Sequence, residues 1–157
     1  MSGPSFSISG KPLTVTPAVI TNGVRFWPDL DLAEFQTSRT LPADLPPDTA
    51  GVALLAAIAE VNTTLADVVA YWNGKGCDRA ADVPGAKLRD ENQLTAQYKK
   101  AVYARAKADL LGEFATIGRR ESHPGQESLD TRANLLAEAA NVMRNMLQQP
   151  RVGVHLI

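Results

Sequence analysis

The chain has 157 residues and a mass of 16.8 kDa, 45% hydrophobic and 21% charged, a length that argues for one domain able to bury a core without disulfides or a metal. Sixteen Lys and Arg against seventeen Asp and Glu leave a net charge of −1, which lacks the positive excess expected of a protein whose main task is to hold nucleic acid. One cysteine and two histidines are too few for an internal bridge or a Cys/His zinc site of standard ligand count, no apolar run approaches the roughly 18–20 residues of a membrane span, and no basic-then-apolar leader opens the chain, so the expected setting is cytoplasmic and away from membranes.

Residues 1–24 are broken by Gly3, Pro4, Gly10, Pro12, Pro17 and Gly23. Between the breakers, Phe6 and Ile8, then Leu13 and Val15, alternate with Ser or Thr in two short strand-like stretches. An isolated hairpin is marginal in water, so this segment reads either as an extended arm that orders on something else or as a terminal tail. Pro28 and Asp29 supply start signals for a short helix over 30–39, with Phe26 and Trp27 just before it. A proline-rich connector at 41–47 leads to Asp48 or Thr49 as the cap of a long helix. Its Val52, Leu55, Ile58, Ala59, Leu65, Val68, Val69 and Trp72 recur every three or four residues up to a glycine-type stop at Asn73 and Gly74.

Beyond a turn that ends in Pro84 and Gly85, the spacing predicts the longest helix over 87–117, with Leu94, Tyr98, Ala101, Val102, Ala108, Leu111, Phe114 and Ile117 on its buried stripe. Gly118 stops it. A last helix is predicted from about 127 to 149, with Leu129, Leu136, Ala140, Met143 and Leu147 inward, and Pro150 ends it. In 151–157, Val152, Val154 and Leu156 fall on one face of a short strand. The expected fold is therefore mainly α: an antiparallel bundle of three long helices plus a short one over 25–150, with strand-forming arms at 1–24 and 151–157. Arms without a partner inside the domain suit strand addition to another chain.

Catalytic patterns find little support. His123 lies in a Pro-Gly loop and His155 in the terminal strand, so neither is placed beside Cys77 or a serine as a nucleophile's base. Asp29 and Asp31 flank a helix start, where capping and the helix dipole account for them. Gly74-Lys75-Gly76 lacks the glycine spacing and the following Lys-Ser or Lys-Thr of a phosphate loop. The expectation is no enzyme, no metal and no cofactor. Charge is uneven: 25–86 holds four basic and nine acidic residues, while 87–121 holds eight basic and five acidic. Lys99, Lys100, Arg105, Lys107, Arg119 and Arg120 form either a solvated helix face or a basic surface for an acidic partner or a passing polyanion.

Read as one string, Phe26-Trp27-Pro28-Asp29-Leu30-Asp31, Glu60-Val61-Asn62, Ala81-Asp82-Val83-Pro84, Tyr98-Lys99-Lys100-Ala101-Val102 and the terminal 151–157 resemble the head completion protein (L protein) family of P2-like tailed bacteriophages. The resemblance covers about 24–157. It implies a structural virion protein at the head–tail neck, made in the bacterial host cytoplasm, with no catalytic residues. It further implies an adaptor ring, dodecameric to match the portal, that joins the DNA-filled capsid to the tail and meets tail-completion or neck proteins. Packaged DNA would pass through the lumen without sequence-specific binding. Under that resemblance Arg151, Val152, Val154, Leu156 and Ile157 are the expected portal or subunit attachment strand. Phe26, Trp27, Pro28 and Asp29 are the expected anchor motif, seated on the bundle or facing the next subunit. The six basic residues above are expected to face the DNA channel or a neighbouring subunit. The rival reading is a helical DNA-binding packaging factor, similar to a small terminase, or a regulator; it lacks a visible helix-turn-helix.

Overall fold

The computed structural model describes residues 15–117 and 126–148. Within these residues five α-helices and two two-stranded antiparallel sheets make a mainly helical fold: β1 (Val19–Ile20), β2 (Leu30–Asp31), α1 (Leu32–Ser38), α2 (Pro47–Thr64), α3 (Ala66–Gly74), β3 (Lys87–Leu88), β4 (Glu91–Asn92), α4 (Gln93–Ile117) and α5 (Gln126–Met146). A 3-10 turn at Ala80–Asp82 precedes the second sheet.

The first departures from the sequence reading lie at the N-terminal end. Val19 and Ile20 pair with Asp31 and Leu30, the Leu32 N–H donates to the Ala18 carbonyl at 2.9 Å, and the Thr16 N–H donates to Gln36 Oε1 at 3.0 Å. The described end of the arm, at Val19–Ile20, thus finds a strand partner inside the domain, and Val15 and Thr16 are not in a strand. The stretch around Phe6 and Ile8 lies outside the described residues. The short helix begins at Leu32, because Asp31 is its cap and accepts from the Ala33 N–H at 3.0 Å. Asp29 instead accepts from the Asn22 N–H at 2.8 Å, so it pins a loop and starts no helix.

The predicted helix over 48–74 is two helices, bent by 57° at Leu65. Pro47 occupies the first turn of α2, where a missing N–H costs nothing. At the far end of α3 the left-handed residue is Gly76 (φ +87°), not Gly74, and the Cys77 N–H returns to the Trp72 carbonyl at 3.0 Å. The residues facing inward from α2 are Ala50, Ala53, Leu54, Ala57, Ile58 and Val61. Val52 and Leu55, expected inside, are 65% and 55% exposed. Small alanines allow α2 to sit close on its neighbour along a stripe offset by one residue from the one that bulk alone suggests. Among the described residues no single helix is long and apolar enough to cross a membrane.

The longest helix starts at Gln93, because 87–92 fold into a hairpin in which Lys87 faces Asn92 and Leu88 faces Glu91, with Arg89 left-handed at φ +56° in the turn. Asn92 supplies the stop and the start together. Its Oδ1 accepts from the Thr95 N–H at 3.0 Å, in the manner of an N-cap, while its Nδ2 donates to the Ala80 and Val83 carbonyls at 2.6 and 2.9 Å. Helix α4 is central. Ala101, Val102, Tyr103, Ala104, Ala106, Ala108, Leu110 and Leu111 are all buried, so burial runs around much of the helix and not along one stripe. Among the described side chains of α5, Leu135, Ala139 and Met146 are buried and Leu136, Val142 and Met143 half-buried, as is Leu147 just beyond it; Ala140, expected inside, is exposed.

Candidate functional site

Four of the five segments that carry the resemblance meet in space. Trp27 is 3% exposed and stacks on Tyr98 of α4 with centroids 4.4 Å apart and planes 8° from parallel, while Phe26, equally buried, meets Trp27 edge-on at 4.8 Å. Each ring buries a large apolar surface, and the near-parallel contact adds to it. The Tyr98 hydroxyl donates to Asn62 Oδ1 of α2 at 2.7 Å, the Asn62 Nδ2 donates to Asn22 Oδ1 at 2.9 Å, and the Asn22 Nδ2 donates back to the Tyr98 oxygen at 2.6 Å. This closed ring of three hydrogen bonds satisfies polar groups that would each be costly to leave unpaired. Burial pushes the Tyr98 phenol up to about 12, with the Asn22 donor pulling the other way. The Ala80 N–H donates to the Phe26 carbonyl at 2.8 Å, which holds the start of 81–84 beside the first segment, and Ala81 shares a cleft wall with Trp27 and Pro28.

Above this cluster opens a cleft of about 570 Å³, lined by Asn22, Arg25, Trp27, Asp29, Arg79 and Thr95 among others. Arg25 and Arg79 are exposed and lie on chain segments joined by the Ala80–Phe26 hydrogen bond, and neither guanidinium pairs with another described residue. The Trp27 Nε1 and the Thr95 Oγ1 are buried without a hydrogen-bond partner among the described residues. Two free guanidiniums and two unspent polar groups can meet an acceptor such as a carboxylate. Among the described residues no group of three His, Cys, Asp or Glu converges as a metal site would.

The basic residues of α4 are mostly occupied within the domain. Lys99 Nζ reaches Glu91 at 2.7 Å and Glu34 at 3.1 Å. Burial lowers its pKa, but the hydrogen bonds and charges of those two carboxylates outweigh burial and leave it raised. Arg105 pairs with Glu60 at 2.6 Å. Lys107 donates to the Arg39 carbonyl at 2.7 Å and is held below its usual pKa, first by burial and then by the Arg39 charge. Lys100 is exposed, its carbonyl accepting from Arg39. Arg119, Arg120, Arg151, Val152, Val154, Leu156 and Ile157 lie outside the described residues. Sequence reasoning did not find Asn22, Glu34, Arg79 or Thr95, since nothing local marks a residue whose partner is 40 or 76 positions away. It could have found Asn92, an Asn standing directly before a helical pattern.

The structure is a mainly helical domain in which the ordered motifs of the chain pack against one another. The comparisons give the family. The model of the phage head completion protein (GPL) family matches residues 20–157, and the chain belongs to that family. It is 36% identical over 149 residues, 95% of this chain and 99% of the relative, to a probable head completion/stabilization protein of Haemophilus phage HP1 (strain HP1c1). No solved structure matches. The chain is thus a virion-associated structural protein of the phage head.

Proposed function

We propose that the protein is the head completion adaptor of its phage: a ring beneath the portal, dodecameric in register with it, that joins the DNA-filled capsid to the tail. The observation that carries this reading is the near full-length match to the Haemophilus phage HP1 protein. In this reading α2, α4 and α5 are the antiparallel three-helix body of each subunit. Opposed pairings support it: Asn62 meets Tyr98, and Glu60 meets Arg105 further along α4. Residues 151–157 add as a strand to the portal or a neighbour, and the arginine-rimmed cleft beside Trp27 takes carboxylates of a virion partner. The protein is made in the bacterial host cytoplasm and sits at the head–tail neck of the virion. The DNA-binding reading loses support where Lys99, Arg105 and Lys107 are spent inside the domain.

Complementation of a phage that lacks this protein tests the proposal. Full-length protein should restore tailed particles. Protein without Val152–Ile157, or with Arg25→Glu and Arg79→Glu together, should fold with an unchanged melting temperature and yield DNA-filled heads that stay tailless or leak. Normal plaque yield from the phage without the protein would end the adaptor reading.

A further inference from the structure

Leu88 is 78% exposed on the hairpin that precedes α4, with Lys87 and Arg89 on either side of it, both exposed. One exposed leucine is ordinary on a protein surface. Its setting is not: a two-residue turn holds it at a hairpin end, and neither flanking cation pairs with another described residue. Between them α2 and α4 leave a groove of about 490 Å³, floored by Val52, Ala53, Ala56 and Leu110 and edged by Asp48 and Asp109. Val52 is 65% exposed there, and neither aspartate pairs with another described residue. An apolar knob with a cation on each flank and an apolar groove with two anions at its rim are complementary in charge; of the two acids in the hairpin, Glu91, which faces Leu88, is spent on Lys99 at 2.7 Å, so Lys87 and Arg89 outweigh Asp90.

The hairpin stands at the N-terminal end of α4, and Asp109 lies about 24 Å along that helix at ~1.5 Å per residue. Knob and groove therefore cannot meet within one chain. We propose that they meet between two copies, the Leu88 hairpin of one subunit seated in the Val52 groove of the next, as the repeating head-to-tail contact of the assembled protein. A contact between different surfaces of identical chains generates a ring when its rotation closes, so this inference rests on the ring of the proposed function and supplies its interface. One leucine with exposed ion pairs is a weak joint. It holds when a template gathers many copies, since each contact then forms at high effective concentration.

The test is cysteine cross-linking of the purified full-length chain with Cys77→Ser as background. Protein carrying Leu88→Cys, mixed with protein carrying Val52→Cys at high concentration, should give a heterodimer with a short bis-maleimide, and the double variant a ladder. Lys87→Glu with Arg89→Glu should cut the yield about tenfold, and Asp48→Lys with Asp109→Lys in the partner should restore it. All four sites are exposed, and unchanged melting temperatures verify the fold. Cross-linking of Leu88→Cys to itself in preference to Val52→Cys, failure of the charge exchange to restore yield, or no product in either solution or phage particles would each overturn the contact. The solution result stands apart from complementation, so the interface and the adaptor reading fail separately.

Discussion

The two sides of α4 are packed with different material. Toward the N-terminal segment and α2 lie Phe26, Trp27, Phe35, Tyr98 and Tyr103, threaded by the Asn22, Asn62 and Tyr98 ring and by the Tyr103 hydroxyl, which donates to Glu34 at 2.7 Å. Toward α5 lie Ala104, Ala108, Leu111, Leu135 and Ala139, with the Arg39–Glu138 pair at 2.8 Å on its flank. Aromatic rings and closed polar rings accept one geometry, because a shifted register strands buried polar atoms. Small aliphatic residues pack closely but tolerate sliding. The first side fixes where the cleft and the hairpin stand; the second supplies burial.

The comparison is sharpest at Trp27. Trp27→Ala should cost about 3–5 kcal/mol, the range for a large aromatic truncated in a core, and lower Tm by roughly 10 °C in a chain of this size. A calorimetric melt within a degree or two of wild type would mean that Trp27 serves the next subunit and not its own domain.

Next in size is the polar ring. Asn62→Ala leaves the Tyr98 hydroxyl without its acceptor and should cost about 1–3 kcal/mol. Combined with Tyr98→Phe it should cost less than the sum, because both changes break the same ring; additive denaturation midpoints would show that the ring is not a unit. Tyr98 also sets an alkaline limit. Its folded pKa is raised, so the ring's contribution is complete below the ordinary phenol pKa of 10.0 and is lost as pH rises through about 12. The stability gap between wild type and Tyr98→Phe should close over that window.

The smallest effect belongs to the α5 side. Glu138→Gln should cost under about 1 kcal/mol at neutral pH, since the Arg39 pair is partly solvated. The Arg39 guanidinium, by its hydrogen bond, holds the Glu138 carboxyl below its usual range. The contribution is therefore present above the ordinary carboxylate pKa and lost as pH falls through the lowered one. Urea midpoints of wild type and variant should converge in acid; a constant gap from neutral to acid pH would assign the cost to packing.

The sequence by itself determined that the chain is mainly helical, that α4 is long, that Phe26 and Trp27 stand together before a short helix, and which family the ordered motifs resemble. Those properties follow from periodicity, breakers and residue order, which are local or linear. Only the tertiary structure decided that Val19–Ile20 pairs with Leu30–Asp31, that α2 turns its alanines inward and leaves Val52 and Leu55 in water, and that Asn22, Asn62 and Tyr98 close one ring. Each of these depends on which surface arrives from a distant part of the chain. A helical pattern shows that one face is apolar, but close approach between helices favours the face of small residues over the face of large ones, and that choice is made only when the neighbour is in place.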